Sequence, residues 1–261
     1  MKQAMLTLTL ALFTSFSFAG TIDPSVADKD YLEFGKKFDC VKQIEVDYNL
    51  QKDGKTLVGL ASCVVIADNW VLTSAHILMG QAECVYVVHD GYRHVIDKMY
   101  VHKDFDFNLK SVHKVDDPFC DIALCHVRGK PNFEFSASMV DDNIKVMDKV
   151  VAICGFGATG TMESGAVTFD RKRRAGSNII DGIEKDILLA GSTRNEARKT
   201  TLEMLVATGD SGGGLFINGK LLGIISFIRS GDDVNSNYGD NSGFIDLRKY
   251  KGWINDIIEK R

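Results

Sequence analysis

Short apolar runs broken by turn-forming residues constrain this chain more than any other feature. Leu57 to Ile66 and Trp70 to Thr73 flank the turn Ala67-Asp68-Asn69, and Ala82 to His89 and Tyr92 to Ile96 flank Asp90-Gly91. Ile122 to Val127 and Lys149 to Cys154 are two further runs. Gly214 to Ile217 and Lys220 to Ile225 flank Asn218-Gly219, a pair suited to a type I′ hairpin because both residues tolerate positive φ. Runs of this length, recurring at roughly ten-residue spacing, read as β-strands. Tyr250 to Glu259 has a different period: Trp253, Ile254, Ile257 and Ile258 fall on one face of a helix. The pattern predicts an all-β barrel or sandwich followed by a C-terminal amphipathic helix.

The 261 residues suffice for one large domain or two small ones, and a 45% hydrophobic content suits a packed core. Three prolines exclude a Pro-rich stalk. A formal charge of −4 gives no support for general nucleic-acid binding. The basic run Arg171-Lys172-Arg173-Arg174 lies between turn formers and reads as a solvated loop.

The N-terminus carries Lys2, an apolar stretch from Ala4 to Phe13, and the small-x-small pattern Ser17-Phe18-Ala19. These are the parts of a secretory signal peptide, and they predict export with cleavage before Gly20. The stretch is too short and too rich in Ser and Thr to be a good membrane anchor. Export places Cys40, Cys63, Cys84, Cys120, Cys125 and Cys154 in an oxidising compartment, periplasmic or extracellular, where an even count favours disulfides. No Cys-x-x-Cys pair or zinc-finger spacing is present, so no metal site and no cofactor are expected.

Chemistry concentrates in Gly209-Asp210-Ser211-Gly212-Gly213-Gly214. Glycines on both sides of a serine let the backbone turn tightly and let a substrate carbonyl approach. Backbone N–H groups in such a loop can stabilise an oxyanion. A serine hydroxyl needs a base, and His76, just after the Trp70 run, is a candidate. The base needs a carboxylate to orient it. Asp121 leads straight into the apolar run Ile122-Ala123-Leu124, where an unpaired charge would be costly. Asp104, Asp106, Asp116 and Asp117 are competing carboxylates that lead into no such run.

With those residues in view, the chain resembles the chymotrypsin-fold, trypsin-like serine peptidase family. Thr73-Ser74-Ala75-His76 is similar to its histidine motif, Asp121-Ile122-Ala123-Leu124 to its aspartate motif and Gly209-Asp210-Ser211-Gly212-Gly213 to its nucleophile motif. The order and the gaps of 45 and 90 residues are also similar. The resemblance covers roughly residues 38–260.

It implies two six-stranded antiparallel β-barrels, at about 38–135 and 136–248, with a terminal helix at about 249–260. It implies a secreted serine endopeptidase that acts through an acyl-enzyme on protein or peptide substrates. His76, Asp121 and Ser211 would be catalytic, and the Gly209 and Ser211 N–H groups would form the oxyanion hole. Ser226, Phe227 and Ile228 would pair with substrate. A monomer without membrane or nucleic-acid partners is expected, and a protein inhibitor is a further candidate partner.

The chain departs from the family pattern at informative points. Leu205 stands six positions before Ser211, where trypsins carry Asp, so cleavage after Lys or Arg is not expected. Ile228 replaces the usual glycine of an open pocket, while Gly243 is retained. Together these predict a shallow apolar pocket for small or medium aliphatic side chains. In the family Asp210 pairs with a newly made N-terminal ammonium, yet no Lys or Arg between Gly20 and residue 60 precedes Ile or Val. Tryptic activation is therefore not expected. Ile77 and Ala207 stand where the family commonly has cysteines, so its disulfide pairings do not transfer.

A catalytically inactive homologue used for binding is the alternative of a different class. An α/β-hydrolase requires a histidine after the nucleophile, whereas the last histidine here is His126.

Overall fold

The computed structural model describes residues 20–52, 55–79, 82–106, 119–192, 194, 198–231 and 236–260. The expected signal peptide, and the competing carboxylates Asp116 and Asp117, lie outside these residues.

Six strands close into a barrel: β2 (Val41–Lys52), β3 (Lys55–Ala67), β4 (Trp70–Thr73), β5 (Ala82–His89), β6 (Tyr92–Val101) and β7 (Ala123–Val127), in the order β2-β3-β4-β7-β6-β5. The two-residue alternation of side chains builds its interior. Val85 and Val87 of β5 point inward, to meet Ile44, Cys63, Val71 and Val127.

The second sheet has seven strands. They are β8 (Val150–Gly155), β11 (Arg174–Ile179), β12 (Gly182–Glu184), β13 (Ile187–Gly191), β15 (Gly214–Ile217), β16 (Lys220–Arg229) and β17 (Asn241–Asp246). Their order is β11-β8-β15-β16-β17-β13-β12, a half-barrel rather than a six-strand ring. A small third sheet joins β1 (Gly20–Ile22), β9 (Thr159–Thr161), β10 (Gly165–Thr168) and β14 (Met204–Leu205). The barrel-like pair of sheets and the terminal helix α2 (Lys251–Glu259) agree with the expected fold class.

One core cluster lies between the sheets: Val41, Leu72 and Ile122 from the barrel meet Phe216, Ile224 and Ile254 from the other half. Fully burying such a side chain contributes roughly 1.5–3 kcal/mol. This apolar seam fixes the edge where the chemically interesting residues meet.

Two expectations need correction. Half of the basic run departs from the solvated-loop reading: Arg171 and Lys172 are exposed, but Arg173 is half-buried and Arg174 is fully buried. Its guanidinium forms paired hydrogen bonds with Asp28 (2.6 and 2.9 Å) and Asp170 (3.0 and 2.9 Å). Arg173 binds Asp39 and the carbonyls of Gly35 and Val41. These arginines tie the segment around α1 (Asp28–Gly35) to β11. The six cysteines are also free rather than paired. Cys63 and Cys125 sit on β3 and β7 with β4 between them, and burial pushes the Cys125 thiol up to about 12. They serve as small apolar core residues.

Candidate active site

His76, Asp121 and Ser211 come together where the two sheets meet. His76 lies in the turn after β4 and accepts or donates through both ring nitrogens. Its Nδ1 is 2.8 Å from Asp121 Oδ2 and its Nε2 is 3.0 Å from Ser211 Oγ. The His76 backbone N–H donates to Asp121 Oδ1 at 2.8 Å. Asp121 is fully buried, and the Ser226 hydroxyl donates a further hydrogen bond to its Oδ2. Such a linear array can pass a proton from a hydroxyl to an imidazole while a carboxylate holds the ring.

Cross-sheet hydrogen bonds hold the serine loop in place. Ser62 N–H donates to the Ser211 carbonyl at 2.9 Å, and Ser62 Oγ donates to the Gly209 carbonyl at 3.1 Å. Ser74 Oγ, two residues before His76, donates to the Ile225 carbonyl at 2.6 Å. Ser62 and Ser74 are fully buried; Ser62 went unnoticed in the sequence, and Ser74 figured there only as part of the histidine motif. A serine inside the apolar run of β3 was the available signal, since a buried hydroxyl must find partners.

Gly209 has φ +94° and Gly212 has φ +83°, and a side chain on Gly212 would strike the Ser62 carbonyl and Thr73 Oγ1. The N–H groups of Gly209 and Ser211 have no acceptor among the described residues.

A cleft of about 250 Å³ is lined by residues 206–208 and 225–228 together with His76 and Ser211. Its walls are chiefly apolar: Val206, Ala207, Ile225, Phe227 and Ile228. No carboxylate is among the described lining residues. Leu205 lies outside the lining, buried in β14 and paired with Thr21 of β1. Gly243 lies directly beneath the Phe227 ring, with no room for a side chain.

Asp210 is fully buried and accepts N–H groups from Gly157 (2.7 Å) and Ala207 (2.8 Å). No cation lies within ion-pair distance of it among the described residues, and burial pushes its carboxyl up to about 7. Among the described residues, His102, Asp104 and Cys120 bring metal-capable atoms within 4.8 Å of one another. Asp104 is exposed, and burial raises the Cys120 thiol above its ordinary value.

The trypsin family model matches residues 43–254. The chain belongs to the trypsin family and is a serine endopeptidase. Among solved structures, neuropsin from mouse brain superposes with a TM-score of 0.61 at 18% identity, over 83% of this chain and 93% of that one. HL collagenase superposes with a TM-score of 0.62 at 18% identity, over 85% and 94%. At this identity the likeness is one of fold. No curated protein matches the chain by sequence.

Proposed function

We propose that Ser211, His76 and Asp121 act as the catalytic triad of an exported endopeptidase that cleaves after small or medium aliphatic residues. The observation that carries this reading is the unbroken hydrogen-bonded line from Ser211 Oγ through His76 to buried Asp121. In the reaction, Ser211 Oγ attacks the scissile carbonyl carbon while His76 Nε2 takes its proton. The Gly209 and Ser211 N–H groups hold the oxyanion. His76 then protonates the leaving amine, the C–N bond breaks, and water hydrolyses the acyl-enzyme by the same route.

Selectivity follows from the cleft. Its apolar walls suit an aliphatic side chain, and a Lys or Arg head group would meet no carboxylate among the described lining residues. Ile228 narrows the side facing β17, where it pairs with Ser242.

Cleavage of the signal segment before Gly20 is proposed to supply the partner of Asp210. Gly20 pairs with Thr159 and Thr21 with Leu205, so the strand runs back toward Ala158 and Val206. Gly157 and Ala207, one residue further along each strand, bind the Asp210 carboxylate. An α-ammonium at Gly20 thus begins close to that carboxylate. Among the described residues, no helix is long and apolar enough to cross a membrane.

Labelling with a fluorophosphonate tests the triad: Ser211 should be modified, and Ser211→Ala should abolish the modification. A correctly folded protein that is not labelled would favour the binding-homologue reading instead. A peptide-library profile dominated by cleavage after Arg or Lys would contradict the proposed selectivity.

A further inference from the structure

A second buried carboxylate stands behind the triad. Asp186 lies in the turn between β12 and β13 and is 4% exposed. It reaches across to the segment that delivers Asp121. Its Oδ1 accepts the Phe119 N–H at 3.0 Å, and its Oδ2 accepts the Cys120 N–H at 3.1 Å. The Tyr250 hydroxyl donates to the same Oδ2 at 2.5 Å. Burial and the Asp186 carboxylate push the Tyr250 phenol far up, so it stays a donor at every working pH. The Asp186 carbonyl accepts the Asp246 N–H at 2.8 Å, which fixes the turn to β17.

The backbone held by Asp186 is strained. Cys120 has φ +52°, a left-handed conformation that residues with a side chain rarely adopt. The Ile122 N–H then donates to the Cys120 carbonyl at 2.7 Å, closing a tight turn around Asp121. The direction of the Asp121 side chain therefore depends on the bend immediately before it. Burying Asp186 with no cation in ion-pair distance among the described residues is costly, and backbone donors on successive residues offset that cost.

We infer that Asp186 is a positioning residue: its carboxylate holds Phe119 and Cys120 in the bend that aims Asp121 at His76. Asp186 touches neither Ser211 nor the cleft and acts through Asp121, from the opposite sheet. This role rests on the triad reading of Ser211, His76 and Asp121.

The test compares Asp186→Ala, Asp186→Asn and Tyr250→Phe with Ile254→Val. Ile254 packs in the same core as Cys120 and Tyr250 but its side chain carries none of these hydrogen bonds, so Ile254→Val removes buried volume and leaves the bonds to Asp186 in place. Turnover is measured per active site, by titration with a fluorophosphonate. The hydrogen-bonded proton between His76 Nδ1 and Asp121 is followed by NMR.

Asp186→Ala should lower kcat by about 10- to 100-fold with KM changed less than about twofold. It should also shift or erase the His76–Asp121 proton signal. Asp186→Asn keeps one acceptor oxygen and should be intermediate, and Tyr250→Phe should lose least. These two variants carry the test should the alanine variant not fold. Ile254→Val should keep both kcat and the signal. Asp186 variants that lose only thermal stability, as Ile254→Val does, would overturn the inference. The NMR readout needs no turnover, so it judges Asp186 even if Ser211 proves not to be the nucleophile.

Discussion

Ser226 donates its hydroxyl to Oδ2 of Asp121 across the boundary between the two sheets, 105 residues away in sequence. That oxygen also faces His76 Nδ1, so β16 of one half helps to orient the carboxylate of the other. A hydrogen bond to a charged group contributes about 1.5–3 kcal/mol. Ser226→Ala should therefore lower kcat/KM roughly tenfold. Steady-state kinetics on a peptide substrate measure this, and unchanged kinetics would show that His76 alone suffices to hold Asp121.

Ile228 should set the depth of the specificity cleft. Ile228→Gly removes an apolar wall from a space of about 250 Å³ and should admit aromatic side chains. The ratio of kcat/KM for Phe over Val at the cleaved position should rise by about 10-fold or more. A peptide library read by mass spectrometry gives this ratio directly.

Arg174 should act as a structural keystone for the N-terminal segment. The helix α1 has eight residues and no side-chain cap, so its place depends on tertiary contacts. Arg174→Met leaves Asp28 and Asp170 without their shared cation, which costs about 3–5 kcal/mol. The thermal midpoint should fall by roughly 6 °C or more, as measured by calorimetry.

Asp210 should make stability depend on its N-terminal partner. Without an ammonium its folded pKa is about 7, above the ordinary value of 3.8. The folded state then binds the proton more tightly, so this group's contribution is present below pH 4 and is lost as pH rises through 7. The loss is on the order of 4 kcal/mol. A chain beginning at Gly20 should escape most of it. Calorimetry at acid and neutral pH, on this form and on an N-terminally extended one, should show the steeper decline in the extended form. Parallel declines would separate Gly20 from Asp210.

The parts legible in the sequence were those encoded by neighbouring residues. Asn218 and Gly219 have φ of +50° and +75°, as the type I′ hairpin requires. The helix expected from Tyr250 runs from Lys251 to Glu259 and buries Ile254. His76, Asp121 and Ser211 were marked by their local motifs, and the structure brings all three within hydrogen-bond reach.

Long-range pairing was not legible. Arg174 looked like one more surface charge because nearby Asp170 alone gave no sign of burial, and its second partner, Asp28, lies 146 residues away. Asp186 was hidden for the same reason, since Cys120 and Tyr250 lie 66 and 64 residues from it. The helix α1 escaped notice because its eight residues bury only Tyr31 and Gly35, too few for a periodic signal. Cysteine parity pointed to disulfides, whereas all six cysteines are free, because parity counts residues and carries no information on where the fold places them.

The most direct measurement is active-site labelling of the chain and of its Ser211→Ala, His76→Ala and Asp121→Asn variants with a fluorophosphonate, mapped by peptide mass. Modification of Ser211 alone, abolished in the first variant and slowed by orders of magnitude in the other two, is the result the triad predicts. Equal labelling of the chain and its His76→Ala variant would contradict it.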